Sequence, residues 1–260
     1  MNPAMRVGAM VWRLDDGRTD VSDPDLVLPL ASVGKVLLLG EVARRLADGT
    51  LAPGQQVELL DTDREVGGTG LLGQLSPRWW TVADLAAAVA TVSDNAATNA
   101  LLRLVTLDAV RDLARGAGLR DTTVHDRIRA ERGPGVPETF ATGTARDLCA
   151  FLAAVAQGTW QSPQACELLR GWLAGNTDRA MVADSIGHDP WSSDSVRVEN
   201  KTGTDTGVRA DTGIVSGRHT VVYAVIAAFA PGEERSAVAE LRRWGVTVDR
   251  LAGPHRSDNS

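Results

Sequence analysis

The sequence has little lysine. Of 260 residues only Lys35 and Lys201 are lysine, and every other cationic side chain is arginine. Arginine cannot give up its proton in a protein, whereas a lysine amine can once burial or a nearby positive charge lowers its pKa. An arginine-rich composition does not explain where the two lysines remain. Cysteine is as scarce. Cys149 and Cys166 lie in or near two successive helical runs and read as buried free thiols, with a disulfide left open. The four histidines, His125, His188, His219 and His255, are scattered without metal-ligand spacing, so neither a metal nor another cofactor is expected. Charge of one sign is also lacking. The net charge is −6 with acids and bases interspersed, which gives no basic face for nucleic acid. No apolar run is long enough to span a membrane. Met1 to Leu14 has no charged segment followed by an apolar one and a small-residue cleavage site, so the chain is expected to be cytoplasmic.

The hydrophobic fraction, 43%, is that of a globular protein, and the length suits one large domain or two small ones. Arg6 to Leu14 alternates, Asp15-Asp16-Gly17-Arg18 supplies a turn, and a second extended run leads to Pro29, which predicts a hairpin. A helix follows to Asp48-Gly49. Residues 50–80 read as loop. Thr81-Val82-Ala83-Asp84 opens a strongly apolar helix that stops at Ser93-Asp94-Asn95. Further helices are expected over Ala96 to Val105, Leu107 to Arg115, Thr144 to Ala156 and Pro163 to Leu173. Residues 120–143 read as a long surface loop, and 175–194 as irregular apart from a turn near Arg179 to Asp184. Val196 to Thr202, Ala210 to Ser216 and Thr220 to Ala230 read as strands, with Gly203 to Gly207 and Gly217-Arg218 as turns. Glu233 to Trp244 reads as an amphipathic helix.

That order predicts an α+β fold. An antiparallel sheet built from both ends of the chain is flanked by helices, and an all-α lobe comes from the middle. One domain is expected over residues 1–252, with an α/β lobe from about 1–48 and 190–252, an all-α lobe from about 49–189, a cleft between them, and a disordered tail at 253–260.

Both lysines sit in short motifs. Ser32-Val33-Gly34-Lys35 begins the first helix, and residues one turn apart on a helix are neighbours. A serine hydroxyl is a poor nucleophile without an adjacent base, and a lysine of lowered pKa is such a base. The competing structural use of Ser32 is as a helix cap. Lys201-Thr202-Gly203 opens a turn between strands, and Ser93-Asp94-Asn95 interrupts two apolar helices. Ser257-Asp258-Asn259 repeats the last motif in the tail and is read as coincidence.

Ser-x-x-Lys, Ser-Asp-Asn and Lys-Thr-Gly in this order form the set carried by class A β-lactamases and penicillin-binding proteins. The sequence resembles a class A β-lactamase over nearly its whole length. Val92 to Asn99 looks like the second motif with its helix, and Gly171-Trp172-Leu173-Ala174-Gly175-Asn176-Thr177 is similar to a W-L-x-G-N-T segment before the last strands. The resemblance implies a transpeptidase-like fold, a monomer and a small β-lactam or related carboxylate-bearing amide as substrate. It implies Ser32 as nucleophile, Lys35 as base or proton relay, and Ser93 as a bridge between Lys201 and the leaving nitrogen. It implies Asn95 as a ligand for the substrate's side-chain amide. Lys201, Thr202 and Arg209 would hold the substrate carboxylate, Gly203 would also be at the substrate, and the N–H groups of Ser32 and Thr204 would form the oxyanion hole. As a structural alternative, Arg209 is a surface arginine. Trp79 and Trp80 are given packing roles only.

One part of the family pattern is absent. The glutamate that positions the deacylating water follows an Asp-Arg pair by two residues. Here Asp126-Arg127 is followed in that place by Arg129, the nearest acids are Glu131 and Glu138, and Phe140 stands in the slot of the aspartate that closes the loop. Glu131 is the candidate replacement. Besides β-lactam hydrolysis, two readings stay open: an amidohydrolase or acyltransferase on another substrate, and a module that is acylated and releases slowly.

Overall fold

The computed structural model describes residues 5–187 and 196–253. β1 (Arg6–Arg13) and β2 (Thr19–Ser22) form the expected hairpin, and β3 (Leu28–Pro29) leads to a 3-10 turn at Ala31–Gly34. α1 (Lys35–Ala47) follows directly. Lys35 through Ala43 are all buried, so α1 is the axis of the helical layer rather than a surface helix. Next come β4 (Gln56–Glu58), α2 (Asp61–Arg64), β5 (Trp79–Thr81) and α3 (Val82–Val92). Thr81 caps α3 through a hydrogen bond from the Asp84 N–H. α4 (Asn95–Val105), α5 (Leu107–Gly116), β6 (Thr123–Val124) and β7 (Ala141–Gly143) continue the middle of the chain. α6 (Ala145–Ala156) starts at Thr144 and α7 (Pro163–Ala174) at Ser162, both side-chain caps. β8 (Arg197–Asp205), β9 (Val208–Ser216), β10 (Thr220–Ala228) and α8 (Glu234–Ala252) complete the described chain.

The main sheet has the order β2-β1-β10-β9-β8, so strands from the two ends pair at β1 and β10. All its pairings are antiparallel. Period-two alternation on β10 serves two cores. Val221, Tyr223, Val225 and Ala227 face a cluster with Leu241 and Val248 of α8. Val222, Ala224 and Ile226 face the larger cluster that holds α1, α3, α4 and α6. β8 is an edge strand, and it packs on the 3-10 turn at Ser32. The fold thereby brings one lysine motif against the other.

Three expectations need correction. Residues 50–80 and 120–143 are not loop throughout: β4 pairs with β5, and β6 and β7 join β3 in a three-stranded sheet. Strands of two or three residues are too short to carry a period and exist only through distant partners. The turn after Lys-Thr-Gly is tighter than predicted, because β8 and β9 continue to Asp205 and from Val208. The last helix runs eight residues beyond Trp244, to Ala252. The tail copy of Ser-Asp-Asn, residues 254–260 of the tail and residues 188–194 of the irregular stretch fall outside the described residues. Cys149 and Cys166 are buried free thiols. Among the described residues no helix is long and apolar enough to cross a membrane.

Candidate active site

Ser32 lies in the 3-10 turn ahead of α1, and neither that turn nor α1 uses a side-chain cap. Its hydroxyl therefore does not do the structural job that a serine at this place usually does. It lines a cavity of about 180 Å³ together with Thr69, Ser93, Asp178, Thr202 and Thr204.

Lys35, the first residue of α1, is fully buried. Its Nζ lies 2.7 Å from the Ser93 carbonyl oxygen, 2.7 Å from Asn95 Oδ1 and 3.1 Å from Ser93 Oγ. Burial, and after it the neighbouring Lys201, push its pKa well below the ordinary lysine value, while Asp94 opposes the shift. A neutral amine has two N–H donors and one lone pair. The two short contacts are to carbonyl oxygens, which only accept. The longer one is to a hydroxyl, which can donate. The surroundings thus fit an unprotonated Lys35 that receives a hydrogen bond from Ser93.

The local backbone sets up this contact. Ser93 ends α3 with φ 55° and ψ 37°, the left-handed region. That costs a non-glycine residue about 1 kcal/mol. Hydrogen bonds from Lys35 Nζ and from Thr69 Oγ1, both 2.7 Å, fix the Ser93 carbonyl and hold the turn. Asp94 is buried and caps α4. One oxygen accepts the Ala97 N–H, and the other accepts the N–H groups of Leu71 and Leu72 at 2.6 and 2.8 Å. Asn95 donates from Nδ2 to Gly67 O, so both ends of its amide are engaged beneath the 67–70 loop. The structure places Asn95 against Lys35 and that loop rather than on the cavity wall.

Lys201 is buried on β8 and donates from Nζ to Thr202 O at 2.9 Å. Burial lowers its pKa to about 8, against the raising effect of Asp178 and Asp211. Gly203 lets the strand approach Ser32: a Cβ there would sit 2.5 Å from Leu30 O and 3.1 Å from Ser32 N. Those neighbours are backbone atoms, which cannot swing aside. Gly203→Ala is therefore expected to push β8 from the Ser32 turn. Acylation should slow about 100-fold with the fold retained, read by stopped-flow acylation beside a thermal melt. A rate near that of the unaltered protein would show that this spacing does not matter.

Arg209 stands opposite Thr204 in the strand register, but its guanidinium turns back along the chain. It donates to Asp205 O and Val208 O and lies 5.5 Å over the Phe229 ring. The cavity wall does not include it.

Sequence reasoning passed over several residues here. Asp178 accepts the Thr202 hydroxyl at 2.7 Å. Asn176 donates to Asp178 O and to Asn200 Oδ1, Asn200 donates to Asp211, and so does Tyr223, the single tyrosine of the chain. Burial raises the Asp211 pKa to about 7, partly offset by those hydrogen bonds. Asn99 clamps the backbone of Ile128 through both amide atoms. The 126–140 loop is closed by Asp126, which pairs with Arg129 and Arg132. Phe140 is buried behind Gly34. Glu131 is exposed, and among the described residues none from 126–140 lines the cavity. Trp79 is exposed and Trp80 donates to Pro77 O, away from the cavity. Among the described residues no group of three or more His, Cys, Asp or Glu side chains is arranged to hold a metal ion.

A sheet joined from both chain ends, with helices on both faces and a helical layer that meets its edge strand at Ser32, is the β-lactamase/transpeptidase fold. The chain belongs to the β-lactamase enzyme family, whose model matches residues 2–243. It is 28% identical over 250 residues to the β-lactamase regulatory protein BlaB of Streptomyces cacaoi, covering 78% of this chain and 77% of that one. It is 33% identical over 180 residues to a β-lactamase of Streptomyces lavendulae, covering 66% of this chain and 58% of the relative. Among solved structures, a β-lactamase from Sphaerobacter thermophilus superposes with a TM-score of 0.84 at 27% identity, over 96% of this chain and 94% of that one. The structure of PBP-A superposes equally well, TM-score 0.84, at 20% identity over 95% and 90% of the two chains.

Proposed function

We propose that this protein is a serine acyl-hydrolase of the class A β-lactamase type that opens a β-lactam or related amide through an acyl-enzyme on Ser32. The observation that carries the proposal is the position of Ser93. Its hydroxyl is 3.1 Å from the buried Lys35 amine, and the residue lines the same cavity as Ser32.

In the first step Ser32 Oγ attacks the carbonyl carbon and its proton passes to neutral Lys35. The carbonyl oxygen gains negative charge, which the N–H groups of Ser32 and Thr204 stabilise. As the C–N bond breaks, the Ser93 hydroxyl gives its proton to the leaving nitrogen and is reprotonated from Lys35. Water then cleaves the ester and restores Ser32. Lys201 acts on this relay through its charge, which adds to the effect of burial in lowering the Lys35 pKa. Thr202 and Thr204 contact the substrate on the β8 side. The kinship with β-lactamases supports this reading.

A second reading has its own observation. Since no carboxylate of the 126–140 loop lines the cavity, the ester lacks a base on that side, and release is slower than acylation. Glu131→Gln is expected to leave the acyl-enzyme lifetime unchanged within about twofold, because the carboxylate faces solvent. A lifetime at least about tenfold longer would return Glu131 to the mechanism.

The test is an intact-mass time course with a penicillin in molar excess, with free drug followed in the same tube. Loss of drug with the protein at its native mass supports hydrolysis. A one-to-one adduct that persists supports acylation with slow release. Neither adduct nor drug loss, with the penicillin or with its methyl ester, would overturn the proposal.

A further inference from the structure

The β8 side of the cavity carries an acid where the family pattern leads one to expect a positive field. Asp178 Oδ2 accepts the Thr202 hydroxyl at 2.7 Å, and both residues line the cavity with Ser32 and Thr204. The carboxylate is held in place. Its Oδ1 accepts the Ala180 N–H at 3.2 Å. Asn176 exchanges hydrogen bonds with the Asp178 backbone and is itself bonded to buried Asn200. Thr177 is fastened to Thr91 O by both its N–H and its hydroxyl, which ties the 176–178 segment to the end of α3 beside Ser93.

The nearby cations do not outweigh this acid. Arg209 is folded onto Asp205 O, Val208 O and the Phe229 ring. Lys201 is buried and donates to Thr202 O, and with its pKa lowered to about 8 its charge at most balances that of Asp178. A carboxylate placed against Thr202 would face a like charge, and the hydroxyl that should donate to it is already donating to Asp178.

We propose that Asp178 determines substrate charge at this site, disfavouring an acyl donor with a carboxylate against Thr202 and favouring one that is uncharged there. The inference rests on the acyl-enzyme reading above and names the substrate class for that same site.

The experiment compares acylation of Ser32 by penicillin G and by its methyl ester, followed by intact mass and peptide mapping. The full chain is used, unaltered and as Asp178→Asn and Asp178→Ser. Asparagine keeps the shape and an acceptor for Thr202, and serine serves if the asparagine variant melts early. The ratio of free-acid to ester acylation rates is expected to rise about tenfold in either variant, the size of one like charge removed at contact distance in a partly solvated cleft. Asp178→Glu should keep the unaltered ratio. If Ser32 is acylated in every form and the ratio does not change, Asp178 does not select charge, while the acyl-enzyme reading stands. If neither compound acylates Ser32 in any form, both fall.

Discussion

Ser32→Ala should abolish covalent labelling and reduce turnover by about 10⁴-fold or more, the usual consequence of removing a nucleophile whose partners act as a unit. The fold should not suffer. The Ser32 hydroxyl caps neither the 3-10 turn nor α1, and the turn is held by the buried side chains of Ala31 and Val33 and by the close approach of Gly203. An unchanged thermal melt with no adduct by mass is therefore the expected pair of results. Retained labelling would mean that another side chain is acylated, and the assignment of the nucleophile would be lost.

Lys35→Met should lower the acylation rate by about 10³-fold while costing only about 1–3 kcal/mol of stability. The two effects separate because they have different origins. Methionine fills the buried channel of the lysine stem. It leaves the Ser93 carbonyl and Asn95 Oδ1 without one partner each, although Thr69 still bonds the former. The catalytic loss comes from the missing lone pair. In the unaltered protein the acylation rate should rise with pH along an acid limb set by Lys35, whose pKa lies below the ordinary lysine value because it is buried beside Lys201. The variant should lose that limb. The sign for stability is fixed by the same shift. Over the range in which the unfolded lysine is still an ammonium and the folded one is not, the unfolded chain binds more protons. This group therefore makes the fold more stable as pH rises toward about 10.4, the lysine value in an unfolded chain. Stopped-flow acylation and thermal melts across pH read the two effects separately. An acid limb that survives in Lys35→Met would assign the base to another group.

The three lysine and serine motifs were legible because each is contiguous, and the scarcity of lysine marked two of them. Strands at both chain ends were legible from their alternation, and the sheet order follows from the pairing of β1 with β10. What could not be read depends on contacts far apart in sequence. Asp178 follows the Asn176-Thr177 pair directly, yet nothing local says that its carboxylate meets Thr202, 24 residues on. Asn95 carries a motif position, but its amide is taken up by Lys35 and Gly67. Arg209 pairs with Thr204 in the strand register, and only the neighbouring carbonyls and Phe229 show where its guanidinium turns. The helix runs past the expected end at Trp244 for a related reason. Gly245 does not stop α8; a Cβ there would lie 2.3 Å from Val182 O, so glycine serves the close packing of the helix on that turn.

The account depends most on a serine that becomes acylated through a neutral buried lysine. Its most direct test is to digest the unaltered protein and Lys35→Met after brief exposure to penicillin G methyl ester across a series of pH values, and to locate and quantify the acyl group by peptide mass. The account predicts a single acylated residue, Ser32, labelled far more slowly in the variant and, in the unaltered protein, losing rate only on the acid side. Acylation at any other residue, or an equal rate in Lys35→Met, would contradict it.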